Sequence, residues 1–80
     1  MLDVSGFLGL RRDQAFAQEE KQRVLNEMAQ TRLLLEQAYA GFNNAGDFDL
    51  IDSYVYEINA LQSRHSYLIK QLRELEHSVK

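Results

Sequence analysis

The chain has no cysteine, no proline and no tryptophan in 80 residues, and it has only four glycines. Without cysteine there can be no disulfide, no thiolate metal site and no cysteine nucleophile, and we expect a reducing, cytoplasmic environment. The lack of proline, with three of the glycines outside the expected helix interiors, is typical of an all-helical chain. These absences predict an all-α protein held together without covalent cross-links.

Basic residues are also few: the chain has 9 of them and 12 acidic residues, so its formal net charge is −3. Proteins that bind duplex nucleic acid normally present a concentrated basic surface, so this balance argues against nucleic acid as a direct partner. The carboxylates alternate with lysine and arginine along the chain instead of forming blocks. This pattern indicates a charge-mixed solvated surface and not an acidic mimic of DNA.

The strongest pattern is an apolar heptad repeat that follows Asp47 and continues to the end of the chain. Its members are Ile51, Tyr54, Ile58, Leu61, His65, Leu68, Leu72, Leu75 and Val79. Spacings of three and four residues place such side chains on one face of a helix, where they form a seam against another helix. Asp47 is the expected N-cap, because its carboxylate can accept a free backbone N–H of the first turn. We therefore predict a helix over residues 47–79.

A second heptad repeat, with smaller side chains, precedes it in the chain. It predicts a first helix over residues 13–41, with Asp13 as its cap. Its seam residues are Val24, Met28, Thr31, Leu35, Ala38 and Phe42. Between the two patterns lies a glycine- and asparagine-rich break at residues 41–46, whose residue types tolerate left-handed backbone. Two long helices joined by so short a connection must run antiparallel. The predicted fold is an antiparallel, coiled-coil-like two-helix hairpin.

Residues 1–12 form a short apolar segment interrupted by Gly6 and Gly9, which we predict to be a flexible or short-turn arm. The segment is too short to span a bilayer, and it lacks the basic residues that precede the apolar core of a secretory signal. An alternative is that the arm docks on a membrane surface or in a partner groove, with Arg11 and Arg12 near anionic lipid. The residues that would dock are Leu2, Val4, Phe7, Leu8 and Leu10.

A second apolar line lies off the main seam. In the second helix Tyr56, Ala60 and Tyr67 fall roughly 100–140° from Leu61, and in the first helix Leu33 lies nearly opposite the seam. Such a surface is large for a small protein to leave in water, so we predict a dimeric four-helix bundle. The candidate interface comprises Leu33, Tyr56, Ala60 and Tyr67. The alternative is that the tyrosines lie across the edge of the hairpin with their hydroxyls in water.

Groups that could carry chemistry have simpler structural interpretations. His65 lies in the seam, and Glu74 and His77, which match the spacing of di-iron bundles, project about 140–160° away from the seam instead of inward. Asp47, Asp49 and Asp52 lack the central glycine and terminal glutamate of a calcium loop. We therefore predict no catalytic residue, no metal site, no cofactor and no enzymatic activity.

The segment Asp47-Phe-Asp-Leu-Ile-Asp-x-x-Val-Tyr-Glu-Ile-Asn-Ala, with Arg64-His-Ser-Tyr-Leu-Ile-Lys70 after it, resembles the YaaL-like family of small uncharacterised bacterial proteins. The resemblance covers residues 22–70. Phe48 departs from the proline of that pattern and His65 from its tyrosine. The positions that match its polar and aromatic members are Asp47, Asp49, Asp52, Tyr56, Arg64 and Tyr67. The family has no assigned activity, so no catalytic residue follows from the resemblance.

Taken with the residues, the resemblance leads us to expect a non-enzymatic helical interaction or adaptor protein that forms a homodimer and binds a further protein. A first alternative is a peripheral membrane protein anchored by the amino-terminal arm. A second comes from the resemblance alone. In Gram-positive bacteria the genes of that family often lie near recombinational-repair genes, which implies an accessory role in DNA repair through protein contacts.

Overall fold

The computed structural model describes the backbone of residues 4–78 and the side chains of residues 15–77. It contains two helices, α1 from Val4 to Asn44 and α2 from Phe48 to Ser78, and no strand within residues 4–78. The helices pack against each other in antiparallel orientation, so the predicted hairpin is confirmed. The Cα atoms span 73 × 15 × 15 Å, which makes the molecule a thin rod.

The first helix begins earlier than the sequence predicted. We expected an arm over residues 1–12 and a start at Asp13, whereas α1 is already helical at Val4. Gly6 and Gly9 each cost about 1 kcal/mol relative to alanine, but adding residues to an existing helix requires no new nucleus. Because α1 has 41 residues and α2 has 31, the amino-terminal part of α1 extends past the end of α2.

The turn between the helices is closed by side-chain and backbone hydrogen bonds. Asn44 Nδ2 donates to the carbonyl of Ala40 at 2.9 Å, and Ala45 N–H donates to the carbonyl of Phe42 at 3.3 Å. Asp47 caps α2, since its Oδ1 accepts the N–H groups of Asp49 and Leu50 at 2.9 and 3.2 Å. None of the described residues has a positive φ, so the turn does not use the left-handed backbone that its glycines and asparagines would tolerate.

The core is a single layer between the two helices. Among the described side chains, the buried apolar ones are Val24, Ala38, Ile58 and Leu68. Thr31 is buried with them, and its hydroxyl donates to the carbonyl of Glu27 at 2.7 Å, which satisfies the polar atom within α1. The side chains that α1 buries are small, which allows α2 to approach closely. Most other seam residues are half-buried, and Phe42, at the turn end, is 37% exposed.

Candidate functional site

Two helices side by side leave both sides of their seam open to water, so the hairpin has two broad faces. On one face Gln62 Nε2 donates to the hydroxyl of Tyr39 at 2.8 Å, which joins α2 to α1. Farther from the turn on the same side, Lys21 Nζ lies 3.9 Å from Glu76 Oε1, and Glu76 is two heptads after Gln62. We call this surface the Tyr39 face.

Residues seven apart share a row along a coiled-coil surface, so the Tyr39 face carries one row from each helix. The row on α1 is Gln18, Leu25, Arg32 and Tyr39, and the row on α2 is Phe48, Val55, Gln62, Ile69 and Glu76. Phe48 is 85% exposed, Tyr39 44%, Val55 40% and Leu25 38%. The Tyr39 face is therefore a strip of mixed apolar and polar side chains that runs from the turn almost to the open end of the hairpin.

The opposite surface, which we call the groove face, contains an open groove of about 460 Å³ between the helices. Its lining side chains are Glu27, Gln30, Thr31, Leu34, Glu57, Ala60, Leu61 and Arg64. A second depression continues it along α2 past Ser63 to Tyr67. Two carboxylates and one guanidinium lie among the apolar groups, and the carboxylate of Glu27 accepts a hydrogen bond from Arg23 at 2.9 Å.

The structure brings only part of the predicted interface together. Ala60 and Tyr67 both line the groove face, and Tyr56, one heptad before Ser63, lies at its outer edge. Tyr56 is 75% exposed and Tyr67 57%. Leu33, which is 53% exposed, is two residues from the buried Thr31 and so lies on the outer side of α1, away from the tyrosines.

The exposed apolar residues of the Tyr39 face were not among the predicted site residues. Their heptad spacing is present in the sequence on each helix separately. What the sequence did not indicate is that the row of Tyr39 and the row of Val55 lie on the same side of the seam. That alignment follows from the contact between Tyr39 and Gln62.

The side chains of the predicted amino-terminal docking arm lie outside the described residues. Leu2 lies outside the described residues, and of Val4, Phe7, Leu8 and Leu10 the structure gives the helical backbone but not the side chains. Their proposed contact with a membrane or a partner groove therefore stays a prediction. Within the described part of the chain, neither helix has a window long and apolar enough to cross a bilayer.

Arg23 is the centre of a cluster of ion pairs on the surface of α1. Arg23 donates to Glu20 and Glu27, with Nη2 to Oε2 at 2.7 Å and Nη1 to Oε1 at 2.9 Å. The hydrogen bond from Arg23 lowers the pKa of the Glu20 carboxyl, and the same bond raises the pKa of Arg23. These three residues follow one another at spacings of three and four, so they stabilise α1 locally.

The acidic and histidine side chains that could bind a metal ion are dispersed over the hairpin. His65 is half-buried in the seam, Glu74 and His77 are exposed, and the carboxylate of Asp47 is engaged as the helix cap. Over the described residues, no three acidic or histidine side chains come together in a way that could hold a metal ion.

Comparison with known proteins places the chain in a family. A family model described as "Protein of unknown function (DUF2508)" matches residues 7–79, which is nearly the whole sequence. No curated protein and no solved structure matches it. The family match is consistent with the resemblance to the YaaL-like proteins, and it includes both helices and the turn. The chain belongs to the DUF2508 family, whose function is unknown.

Proposed function

We propose that this protein is a non-enzymatic helical adaptor that forms a homodimer and presents its remaining surface to another protein. The observation that carries the proposal is the large accessible surface, 6580 Å² for a chain of 9.3 kDa. A compact monomer of this mass would expose about 5,000 Å². The hairpin therefore leaves about 1,600 Å² more surface in water than a globular protein of equal size.

The size of this excess agrees with what a stable dimer needs. Standard protein interfaces bury about 1,200–2,000 Å² in total, and obligate homodimers bury about 2,000–5,000 Å². Two copies that each covered the excess would bury about 3,200 Å² together, which is typical of an obligate homodimer. A second copy of the chain can therefore bury the surface that the single-layer hairpin leaves exposed to water.

The thin core supports the same proposal on energetic grounds. Val24, Ala38, Ile58 and Leu68 are the apolar side chains that the hairpin buries among those described. A core in a chain of this length rarely supplies more than about 3–5 kcal/mol, so further apolar burial has a large effect on the net stability. Association would add roughly 25 cal/mol for each Å² of apolar surface removed from water.

The adaptor role rests on the shape of the surface. The exposed apolar and charged side chains are spread along a rod 73 Å long and 15 Å thick, on two opposite faces. If one face is used for self-association, the other stays available to a further protein. A partner that binds along a helix face would contact residues spaced by three, four and seven.

Sedimentation equilibrium of the full chain across micromolar concentrations tests the dimer. We expect an apparent mass of twice 9.3 kDa and a melting temperature that rises with concentration, because association stabilises the folded state by mass action. A stable 9.3 kDa monomer with a cooperative melt independent of concentration would contradict the proposal.

Capture from a native cell extract tests the adaptor role, with the dimer as bait. Replacing Tyr56 and Tyr67 by glutamate should abolish retention of a specific protein, and sedimentation of the same variant distinguishes loss of partner binding from loss of the dimer. A bait that retains the same proteins with and without this change would argue against partner binding at the groove face.

A further inference from the structure

We infer that the outer side of α2 next to the turn binds a basic, amphipathic segment of the partner protein. We call this surface the α2 edge, and its residues are Phe48, Asp49, Asp52, Val55 and Tyr56. The inference rests on the proposed adaptor role and assigns the chemistry of the partner. It follows from the exposed apolar side chains of the α2 edge and from the distribution of charge along the hairpin.

The α2 edge joins the two faces of the hairpin around the outside of α2. At about 100° per residue, its five residues fall within an arc of about 120°. The seam residues Tyr54 and Ile58 lie outside this arc, so the α2 edge points away from α1. Phe48 is 85% exposed, Tyr56 75% and Val55 40%. A partner can therefore reach three large apolar side chains without any opening of the hairpin.

Negative charge is concentrated in the half of the hairpin next to the turn. Residues 33–63 contain five acidic residues and no lysine, arginine or histidine, whereas the other 49 residues contain seven acidic and nine basic ones. The hydrogen bond between Tyr39 and Gln62 holds the two helices of this half side by side, so the five carboxylates share one end of the rod. The even mixture of charges that we expected for the whole chain does not hold here, since this half has a formal charge of −5 and the rest +2.

Most carboxylates of this half are available to a partner. Among the described residues, Glu36, Asp49, Asp52 and Glu57 are exposed, and their carboxylates take part in no ion pair or hydrogen bond. Asp47 differs, because its carboxylate caps α2. The ion pairs that the described chain forms lie in the other half of the hairpin. The α2 edge therefore combines exposed apolar groups with two unpaired carboxylates.

Such a surface fits a segment that carries both apolar and basic residues. Apolar side chains of the segment cover Phe48, Val55 and Tyr56, and its lysines or arginines pair with Asp49 and Asp52. The buried aromatic side chains supply most of the affinity, and the charge pairs chiefly raise the association rate and the specificity. The same carboxylates repel anionic lipid headgroups and the phosphates of nucleic acids.

A second copy of this chain is a poor source of the basic segment. Its basic residues lie in the half away from the turn, where seven acidic residues reduce the formal charge to +2. Lys21 and Arg23 in that half are already paired with carboxylates of their own chain. The basic segment therefore belongs to a different protein.

A designed peptide of leucine and lysine tests the chemistry. Its leucines follow one another at spacings of three and four, and a control peptide carries glutamate in place of every lysine. The full chain should bind the lysine peptide, with an affinity that falls as the salt concentration rises, and it should bind neither the glutamate peptide nor vesicles of anionic phospholipid. Equal binding of the two peptides, no binding of either, or binding of the vesicles instead would overturn the inference.

Matched charge variants locate the contact. The double variant Asp49→Asn and Asp52→Asn should weaken binding of the lysine peptide about fivefold or more and reduce its salt dependence. The control is the double variant Glu19→Gln and Glu74→Gln, which removes two exposed carboxylates from the other half of the hairpin and should change the affinity less than about twofold. If both double variants weaken binding equally, the peptide senses only the net charge of the chain and the assignment is wrong.

An apolar pair of variants tests the docking surface itself. Phe48→Ala should weaken binding of the lysine peptide about tenfold, and Leu33→Ala, at a residue 53% exposed on the outer side of α1, should have little effect. Neither change removes core packing, and circular dichroism of each variant verifies the fold. A Phe48→Ala variant that binds like the wild type would show that charge alone holds the peptide and would contradict the α2 edge.

Failure of this inference is distinguishable from failure of the proposed function. A chain that is dimeric in sedimentation and retains a specific protein from extract, yet does not bind the lysine peptide, contradicts only the assigned chemistry. A chain that binds the lysine peptide at the α2 edge but sediments as a monomer supports the assignment and contradicts the homodimer.

Discussion

The ring of Tyr54 packs directly against the α-carbon of Gly41, so that a methyl group at residue 41 would overlap the ring. Gly41 lies inside α1, and its φ is not positive, so the glycine serves close approach and not an unusual backbone conformation. A glycine within a helix costs about 1 kcal/mol relative to alanine. The close contact of Tyr54 with the backbone of α1 near the turn compensates for that cost.

Gly41→Ala should therefore destabilise the hairpin by about 1–3 kcal/mol, because the overlap forces the Tyr54 ring away from α1. Urea denaturation at fixed protein concentration measures the change. Gly46→Ala is the matched control, since a β-carbon there meets nothing within 4 Å, and it should be neutral or slightly stabilising. In a Tyr54→Leu background the cost of Gly41→Ala should largely disappear, whereas an unchanged cost would mean that the ring is not its cause.

Truncation of the seam should depend on burial. Leu68 is 1% exposed, so Leu68→Ala should cost about 2–5 kcal/mol, and the half-buried Leu61 should lose less when truncated. Leu33→Ala, at a residue 53% exposed, serves as the control and should change stability by about 0.5 kcal/mol or less. Equal denaturation midpoints for the three variants would show that the seam is misassigned.

Loss of the cap on α2 should weaken the turn. Asp47→Ala removes the acceptor of the N–H groups of Asp49 and Leu50 and should cost about 1 kcal/mol. Asp47→Asn keeps an acceptor oxygen and should retain most of the stability. Thermal unfolding followed by circular dichroism distinguishes the two, and an alanine variant as stable as the asparagine variant would argue against the cap.

Lowering the pH should remove the contribution that the hydrogen bond between Arg23 and Glu20 makes to the stability of the folded chain. Because the hydrogen bond from Arg23 lowers the pKa of Glu20 in the folded chain below the usual 4.5, the stabilisation is present above that value. It is lost as the pH falls through the lowered pKa and the carboxylate becomes protonated. The difference in melting temperature between the wild type and Arg23→Gln should therefore shrink from neutral pH to about pH 3. A difference that grows on acidification would contradict this assignment.

The sequence was sufficient for the features that depend on local pattern. The spacing of Ile58 and Leu68 indicated the buried face of α2, and the position of Asp47 marked the beginning of that helix. The structure has α1 beginning at Val4 and not at Asp13, because a long helix extends through Gly6 and Gly9 without a new nucleus, whereas glycine on its own indicates a break. The sequence predicted that the first helix ends at Gly41, whereas Gly41 lies inside α1 and makes room for the ring of Tyr54. That contact is with the other helix, so the local sequence around Gly41 does not indicate it. Contacts across the seam, such as that between Tyr39 and Gln62, fix which rows share a face, and a heptad pattern on one helix contains no such information.

The capped turn also has a consequence for how the chain folds. In an antiparallel hairpin the residues nearest the turn are the closest in sequence, so their contacts close the shortest loops. Once the Asp47 cap and the contact between Gly41 and Tyr54 have formed, each further pair of residues docks without closing a new long loop. We therefore expect folding to proceed as a zipper from the turn outward and to be fast. Amide hydrogen exchange should accordingly be slowest next to the turn and increase steadily toward the end where Lys21 meets Glu76.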